Sequence, residues 1–293
     1  MTTFIEQYIQ DGKKTIEDKL KSYLQGNIPE KLYASMAYSL FADGKRLRPI
    51  LLFASYHSYR DDLEKVYRTA AALEMIHTYS LIHDDLPAMD DDDYRRGMLT
   101  NHKKFDEATA ILAGDALLTY SFELVASDPL LSENEKVYII RELAKSSGPE
   151  GMVAGQILDI EGETKRLNLE ELERVHQLKT GKLISFAVDA GAFLAGASEE
   201  QRRHLRQFSH YLGLIFQVQD DILDVIGDEK KLGKPVGSDT AKQKSTYPAL
   251  LGLDGAKQKM DEYNEKAKAA LVQSGAKQEY LIGLLEYFGS RDY

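Results

Sequence analysis

The sequence predicts an all-α protein. Apolar residues recur at three- and four-residue spacing through almost every segment. Runs of β-branched residues with period-two alternation are missing throughout. Short connections join the segments, with no tandem repeat and no low-complexity linker. The 293 residues therefore read as one large helical domain, 1–293.

Phe4, Tyr8, Ile9, Ile16, Leu20, Tyr23 and Leu24 mark an amphipathic helix over 3–24, closed by Gly26 and Pro29. A second helix covers 32–41. Asp43-Gly44-Lys45-Arg46-Leu47-Arg48-Pro49 then leads into an apolar helix over 50–57. A long alanine-rich helix, 64–86, runs directly into the most charged stretch of the chain, where six carboxylates lie between Asp84 and Asp93. Further helices are expected over 109–126 (with Gly114-Asp115 inside), 132–144, 151–161, 169–179, 183–194 and 199–224. Gly148-Pro149 is a break. Residues 226–247, rich in Gly, Lys and Asp, form the one long irregular stretch, and loops of that length are usually functional or disordered. Two more helices, 256–272 and 278–288, close the chain.

Composition excludes several functions. A net charge of −10 argues against a nucleic-acid binder, because phosphate backbones are held by basic surfaces. With no cysteine, disulfides, thiol catalysis and thiolate metal sites are all out. No apolar run approaches the roughly 18 residues of a spanning helix, and the N-terminus lacks the regions of a signal peptide. A cytoplasmic protein without stable membrane insertion is expected.

Two acidic groups carry the chemistry. Asp220, Asp221 and Asp224 lie within an arc of about 100° on an ideal helix, a preformed patch of oxygen ligands. In the first group, Asp84 and Asp91 would share a helix face and Asp84 and Asp90 would not. Pro87 intervenes and should kink or end the helix, so geometry alone leaves the third ligand open. Both groups close apolar helices, where the macrodipole favours a cation. An all-oxygen donor set points to a hard cation, Mg²⁺ above all. A lone acidic run is as well explained by a solvated turn; the second group is what changes its meaning.

Basic residues recur beside the acids. Lys45, Arg46 and Arg48 form one compact group, and Arg95 and Arg96 directly follow the first acidic group. Lys179-Thr180-Gly181-Lys182 and the loop lysines Lys234, Lys242 and Lys244 add more. Arginine forks match phosphate oxygens, so cations paired with Asp groups suggest a polyanion bridged through metal ions. His77 lies two turns before Asp84, and Tyr79 and Ser80 precede it by five and four positions. Each of these three is also explained by ordinary core packing.

D-D-x-x-x-x-D and D-D-x-x-D, with G-K-R-x-R-P before them and Gly155-Gln156-x-x-Asp159 between, resemble the trans-prenyltransferases, or isoprenyl diphosphate synthases. The resemblance runs from about Ala34 to Pro248, with Asp43 standing where the family usually has glycine. It implies the all-α isoprenoid synthase fold, a helical bundle around a central cavity across which the Asp motifs face each other, usually in a homodimer. It further implies that Asp84, Asp85, Asp90, Asp220, Asp221 and Asp224 hold Mg²⁺, about three ions per site, and the diphosphate of an allylic substrate. Arg95, Lys179, Thr180, Gln217, Lys234 and Lys244 would contact that diphosphate. Lys45, Arg48, His77 and Arg96 match the positions that bind isopentenyl diphosphate.

The implied reaction is ionisation of the allylic diphosphate, attack by the alkene of isopentenyl diphosphate, and loss of a proton to the released diphosphate. No Ser-His-Asp or Cys-His set is needed, and none is evident. Tyr79, five positions before the first motif, and the longer spacing of Leu86-Pro87-Ala88-Met89 resemble bacterial members that stop at C15. A C20 product is the alternative. A terpene cyclase would not need Lys45, Arg48 and His77, nor the second D-D-x-x-D. A non-catalytic synthase subunit would typically lose one Asp motif. An acidic interaction protein would leave the paired basic groups unexplained.

Overall fold

The structure, a computed structural model, describes residues 2–226 and 244–290. Its helices group into two compact units, one of Glu6–Phe53 and Asp62–Arg141, the other of Met1–Ile5, Ala54–Asp61 and Glu142–Tyr293. The first unit holds most of α1 (Thr2–Tyr23), then α2 (Glu30–Leu40), most of α3 (Leu47–His57) and α4 (Tyr67–Asp84). A hairpin of β1 (Tyr94–Arg95) and β2 (Met98–Leu99) follows, then α5 (Asn101–Lys104), α6 (Glu107–Ala126) and the start of α7 (Glu133–Ser147).

Helix α4 is the axis of this unit. Ala70, Ala71, Ala72, Leu73, Met75 and Ile76 are all fully buried, as a helix apolar on every face must be. Its small residues let α6 and α2 pack against it. α6 begins at Asp106, whose carboxylate accepts from the Thr109 backbone N–H at 2.8 Å, the cap that its first turn requires. Among the described residues, α6 is also the one helix long and apolar enough to cross a membrane, which the sequence reading did not anticipate; 44% of that apolar window is buried within the protein.

The hairpin is the second departure, since no strand was expected. Tyr94 pairs with Leu99 and Arg95 with Met98. Arg96 (φ 54°) and Gly97 (φ 75°) both take left-handed backbone at the turn, the geometry that matches the twist of a two-residue connection. Strands of two residues are too short to show alternation.

Arg46 also has a positive φ, 53°, and its side chain turns inward. It donates to the Leu40 and Ala42 carbonyls at 2.9 and 2.6 Å and to Glu74 on α4 at 2.8 Å. Of the basic group read from the sequence, this member is thus a structural tie.

The second unit contains α8 (Met152–Gly162), α9 (Leu169–His176), a π-helical turn over Gln177–Gly181, α10 (Lys182–Leu194), α11 (Glu199–Ile226), α12 (Tyr247–Gln273) and α13 (Glu279–Ser290). Helix α9 starts with a capping box between Asn168 and Glu171. α11 is packed by α10, α12 and α13. α12 begins nine residues earlier than periodicity suggests, because Thr246 caps it and Pro248 suits its first turn; Gly252 (φ 73°, ψ 165°) then breaks the regular backbone.

Arg46 and Glu74 are both almost fully buried, so removing one partner strands the other charge. Arg46→Met is expected to lower unfolding free energy by about 3–5 kcal/mol in denaturant titrations. Glu74 replaced together with Arg46 by apolar residues should recover much of that loss.

Candidate active site

In the first unit α4 ends at Asp84, three residues before Pro87, and Asp85 is its C-cap. The chain then folds back on itself: the Asp90 N–H donates to the Asp84 carbonyl at 2.9 Å and the Asp91 N–H to the Leu86 carbonyl at 3.2 Å. Asp91 is exposed and sits at φ 51°. Asp90 is half-buried and near enough to Asp85 to raise its carboxyl. The tight turn thereby gives Asp90 and Asp91 different exposure.

Asp85 is 3% exposed. Burial pushes its carboxyl above the usual carboxylate value; Arg95 opposes this, and Asp92 and Asp90 add to it. The Arg95 fork grips Asp85 Oδ1 at 2.7 Å from Nε and 2.6 Å from Nη2, with Asp92 3.8 Å away. Asp92, outside the ligand set that the resemblance implies, therefore belongs to this electrostatic group.

The basic side chains converge on His77. Arg48 Nη1 lies 3.1 Å from His77 Nε2. A guanidinium cannot accept, so this imidazole nitrogen is the acceptor and the proton sits on Nδ1. Burial first, then Arg48, Arg96, Arg95 and Arg46, hold His77 well below its ordinary value, and the ring is neutral. The Arg96 fork lies over Gly44, where a Cβ would come 2.5 Å from Nη1. The departure at Asp43 is accommodated by an ion pair to Lys13 at 2.6 Å. Lys45 is half-exposed in the same loop. Ser80 Oγ donates to the His77 carbonyl at 2.8 Å, and the Tyr79 ring is buried. Burial, helped by Asp84, pushes the Tyr79 hydroxyl up to about 12.

The second unit holds its own constellation in a cavity of ≈ 180 Å³ that Asp159, His176, Lys179, Thr180, Gln217, Asp221 and Lys244 line. The π-helical turn presents Lys179 and Thr180, and Gly155 makes its approach to α8 feasible: a Cβ there would lie 2.1 Å from the Lys179 backbone nitrogen. Lys179 Nζ meets Asp159 at 2.6 Å, while Lys244 Nζ lies 3.3 Å from Glu163 and 3.9 Å from Asp159. Burial is the largest single influence on the Asp159 carboxyl and would raise it, but the two lysines, with His176, together outweigh it and hold the carboxyl below its ordinary value. Thr180 Oγ1 donates to Gln217 Oε1 at 2.9 Å.

On α11, Asp221 and Asp224 are buried and Asp220 half-buried. Asp221 Oδ2 accepts from the Tyr247 N–H at 2.9 Å. His176 stacks on the Tyr247 ring, centroids 5.8 Å apart. Lys234 and Lys242 lie outside the described residues. Asp159 was read only as part of a motif, and His176 was missed; partners twenty or more residues apart on different elements leave no local spacing signal.

Do these residues fit Mg²⁺? Among the described residues no three carboxylates or histidines draw together into a complete metal site. Magnesium does not require one, since it keeps waters and is usually bound by one or two carboxylates plus substrate phosphates. Carboxylates at the negative end of α4 and in the last described turns of α11 fit that role.

The polyprenyl synthetase family profile matches residues 29–282. The chain belongs to that family. It is 48% identical over 296 residues to the farnesyl diphosphate synthase of Bacillus subtilis (strain 168), covering 100% of both chains. It is 44% identical over 288 residues to the geranylgeranyl diphosphate synthase of Cyanophora paradoxa, covering 97% of this chain and 96% of the relative. The crystal structure of a geranyltransferase from Legionella pneumophila superposes with a TM-score of 0.87 at 36% identity, covering 99% of this chain and 98% of that one. The all-α expectation and the family resemblance both hold.

The His176 ring is only 13% exposed, and the loss of water brings it down from 6.5 to about 4. Its unfolded form binds a proton that the folded form refuses, so folding stability falls as pH drops from 6.5 towards 4. Thermal unfolding of the parent should show this loss. A His176→Phe variant should have a flatter pH dependence across the same window.

Proposed function

We propose that the chain condenses isopentenyl diphosphate with dimethylallyl or geranyl diphosphate to give farnesyl diphosphate, as a soluble cytoplasmic homodimer. The observation that carries this reading is that each unit sets a carboxylate beside fixed cationic side chains, buried Asp85 beside Arg95 and half-buried Asp159 beside Lys179 and Lys244. A site made only for metal would not need the cations, and one made only for anions would not need the acids.

Asp84, Asp85, Asp90, Asp220, Asp221 and Asp224 would hold Mg²⁺, which when bound to an allylic diphosphate neutralises charge on the leaving group. Arg95, Lys179, Thr180, Gln217, Lys244 and Lys234 would orient that diphosphate and stabilise the negative charge that develops on it. Lys45, Arg48 and Arg96 would bind isopentenyl diphosphate. His77, neutral and accepting from Arg48, aims that guanidinium rather than adding charge. No protein base is needed if the departing diphosphate takes the proton, and the chain then has only to orient both substrates and exclude water.

Chain length is assigned to Tyr79, with Ser80 beside it. Tyr79 lies on α4 five residues, about 7.5 Å of helix rise, before Asp84, so a buried ring there would block elongation early. A C20 product is the second reading, because the family includes geranylgeranyl synthases at comparable identity.

Incubation with Mg²⁺, isopentenyl diphosphate and each allylic starter, followed by sizing of the products, tests the reading; absence of any condensation product would refute it. Asp84→Ala should lower turnover by ~10²-fold or more with the fold retained by circular dichroism. Tyr79→Ala should move products beyond C15. An unchanged chain length in that variant would take Tyr79 out of the assignment.

A further inference from the structure

His83 lies one helical turn after Tyr79 on α4, so the two side chains share a face. Their rings meet edge to face, with centroids 5.6 Å apart and planes at 83°. This is the favourable geometry for an aromatic pair. His83 Nε2 also lies 3.0 Å from the Ile111 carbonyl oxygen on α6. A carbonyl only accepts, so Nε2 carries the proton and donates.

That carbonyl is within reach because residue 114 is glycine. A helical side chain covers the turn before its own Cα, and one at 114 would cover the turn that carries Ile111. A Cβ on Gly114 would fall 2.1 Å from His83 Nε2, 2.5 Å from its Cδ2 and 3.0 Å from its Cε1. The imidazole occupies the very volume that any side chain would take. Gly114 is not among the residues with positive φ, so its backbone does not need a glycine. Glycine inside a helix is destabilising relative to alanine. Space for the ring is the one use that the surroundings give it.

We propose that Gly114 and His83 act together as a brace for product length. The His83 ring, seated over Gly114 and tied to Ile111, fixes Tyr79 in the orientation that stops elongation. His83 and Gly114 are positioning residues: they act through Tyr79 and touch no substrate. The inference rests on the reading of Tyr79 as the chain-length residue, and the variants below separate the two.

Products would be sized for the parent and for Tyr79→Ala, His83→Ala, Gly114→Ala and the Tyr79→Ala/His83→Ala pair, with Mg²⁺, isopentenyl diphosphate and geranyl diphosphate. His83→Ala and Gly114→Ala should each raise the ratio of longer products to C15 by about three- to tenfold, the scale that loss of an aromatic edge contact can supply. In the Tyr79→Ala background His83→Ala should change nothing further. If Gly114→Ala fails to fold, His83→Ala/Gly114→Ala removes the clash and should match His83→Ala alone. Parental product ratios in both His83→Ala and Gly114→Ala, with lengthening in Tyr79→Ala, would sink the brace and leave Tyr79 standing. Lengthening by His83→Ala that persists undiminished without the Tyr79 ring would also overturn it. A Tyr79→Ala enzyme that still stops at C15 would remove the chain-length reading itself, and the brace with it.

Discussion

Everything in the two acidic constellations follows from one electrostatic problem. A carboxylate at the C-terminal end of a helix faces the negative end of the backbone dipole, and burial removes the water that would screen it. Asp85 meets both conditions as the C-cap of α4, 3% exposed. It is tolerable there because a guanidinium is fixed on it at 2.6–2.7 Å. Burial nevertheless outweighs Arg95 and leaves the carboxyl above its ordinary value. The residual strain is an attraction for further positive charge. In the second unit the balance falls the other way: Asp159 has two lysines and is held below its ordinary value.

The cations can serve this purpose only if the backbone lets them come close, and glycines supply the clearance. Gly44 admits the Arg96 fork and Gly155 admits the backbone of the π-helical turn. In each case a methyl group would collide with a group proposed for substrate binding. Positive φ does comparable service at Arg46, Asp91 and Arg96, bending the chain at the three points where charged residues are sorted into buried and exposed. At Arg46 the result is a cation used for folding, between two neighbours proposed to bind substrate.

That division explains how much was legible in the sequence. Helix identity was legible because α11 buries a long periodic face and α4 and α6 are long apolar runs too long for strands, and both are properties of local sequence. The D-D-x-x-D spacing was legible because α11 is continuous through Asp220–Asp224. By contrast, the inward turn of Arg46 and the different exposures of Asp90 and Asp91 depend on left-handed residues that are not glycine, and the hairpin at Tyr94–Leu99 needs one such residue, Arg96, beside Gly97. Such conformations are imposed by surrounding contacts, and no residue type announces them. The pairings of Lys179 with Asp159 and of His176 with Tyr247 are tertiary and were invisible for the same reason.

The same electrostatics bear on why no complete metal site is preformed among the described residues. Asp85 already has a guanidinium on one oxygen, and Asp221 already accepts from the Tyr247 backbone. Each retains acceptor capacity, because an ionised carboxylate has about four lone-pair directions. Among the described residues, neither unit offers the near-complete cage that would hold a dehydrated Mg²⁺ without substrate. A metal at such carboxylates needs oxygens from elsewhere, and a diphosphate is a dense source of them. The fixed cations would then have a second use, in the proposed reading, on the diphosphate oxygens that the metal does not take. A half-built site of this kind ties metal affinity to substrate affinity: each ligand supplies what the other lacks, and the coupling is reciprocal by linkage.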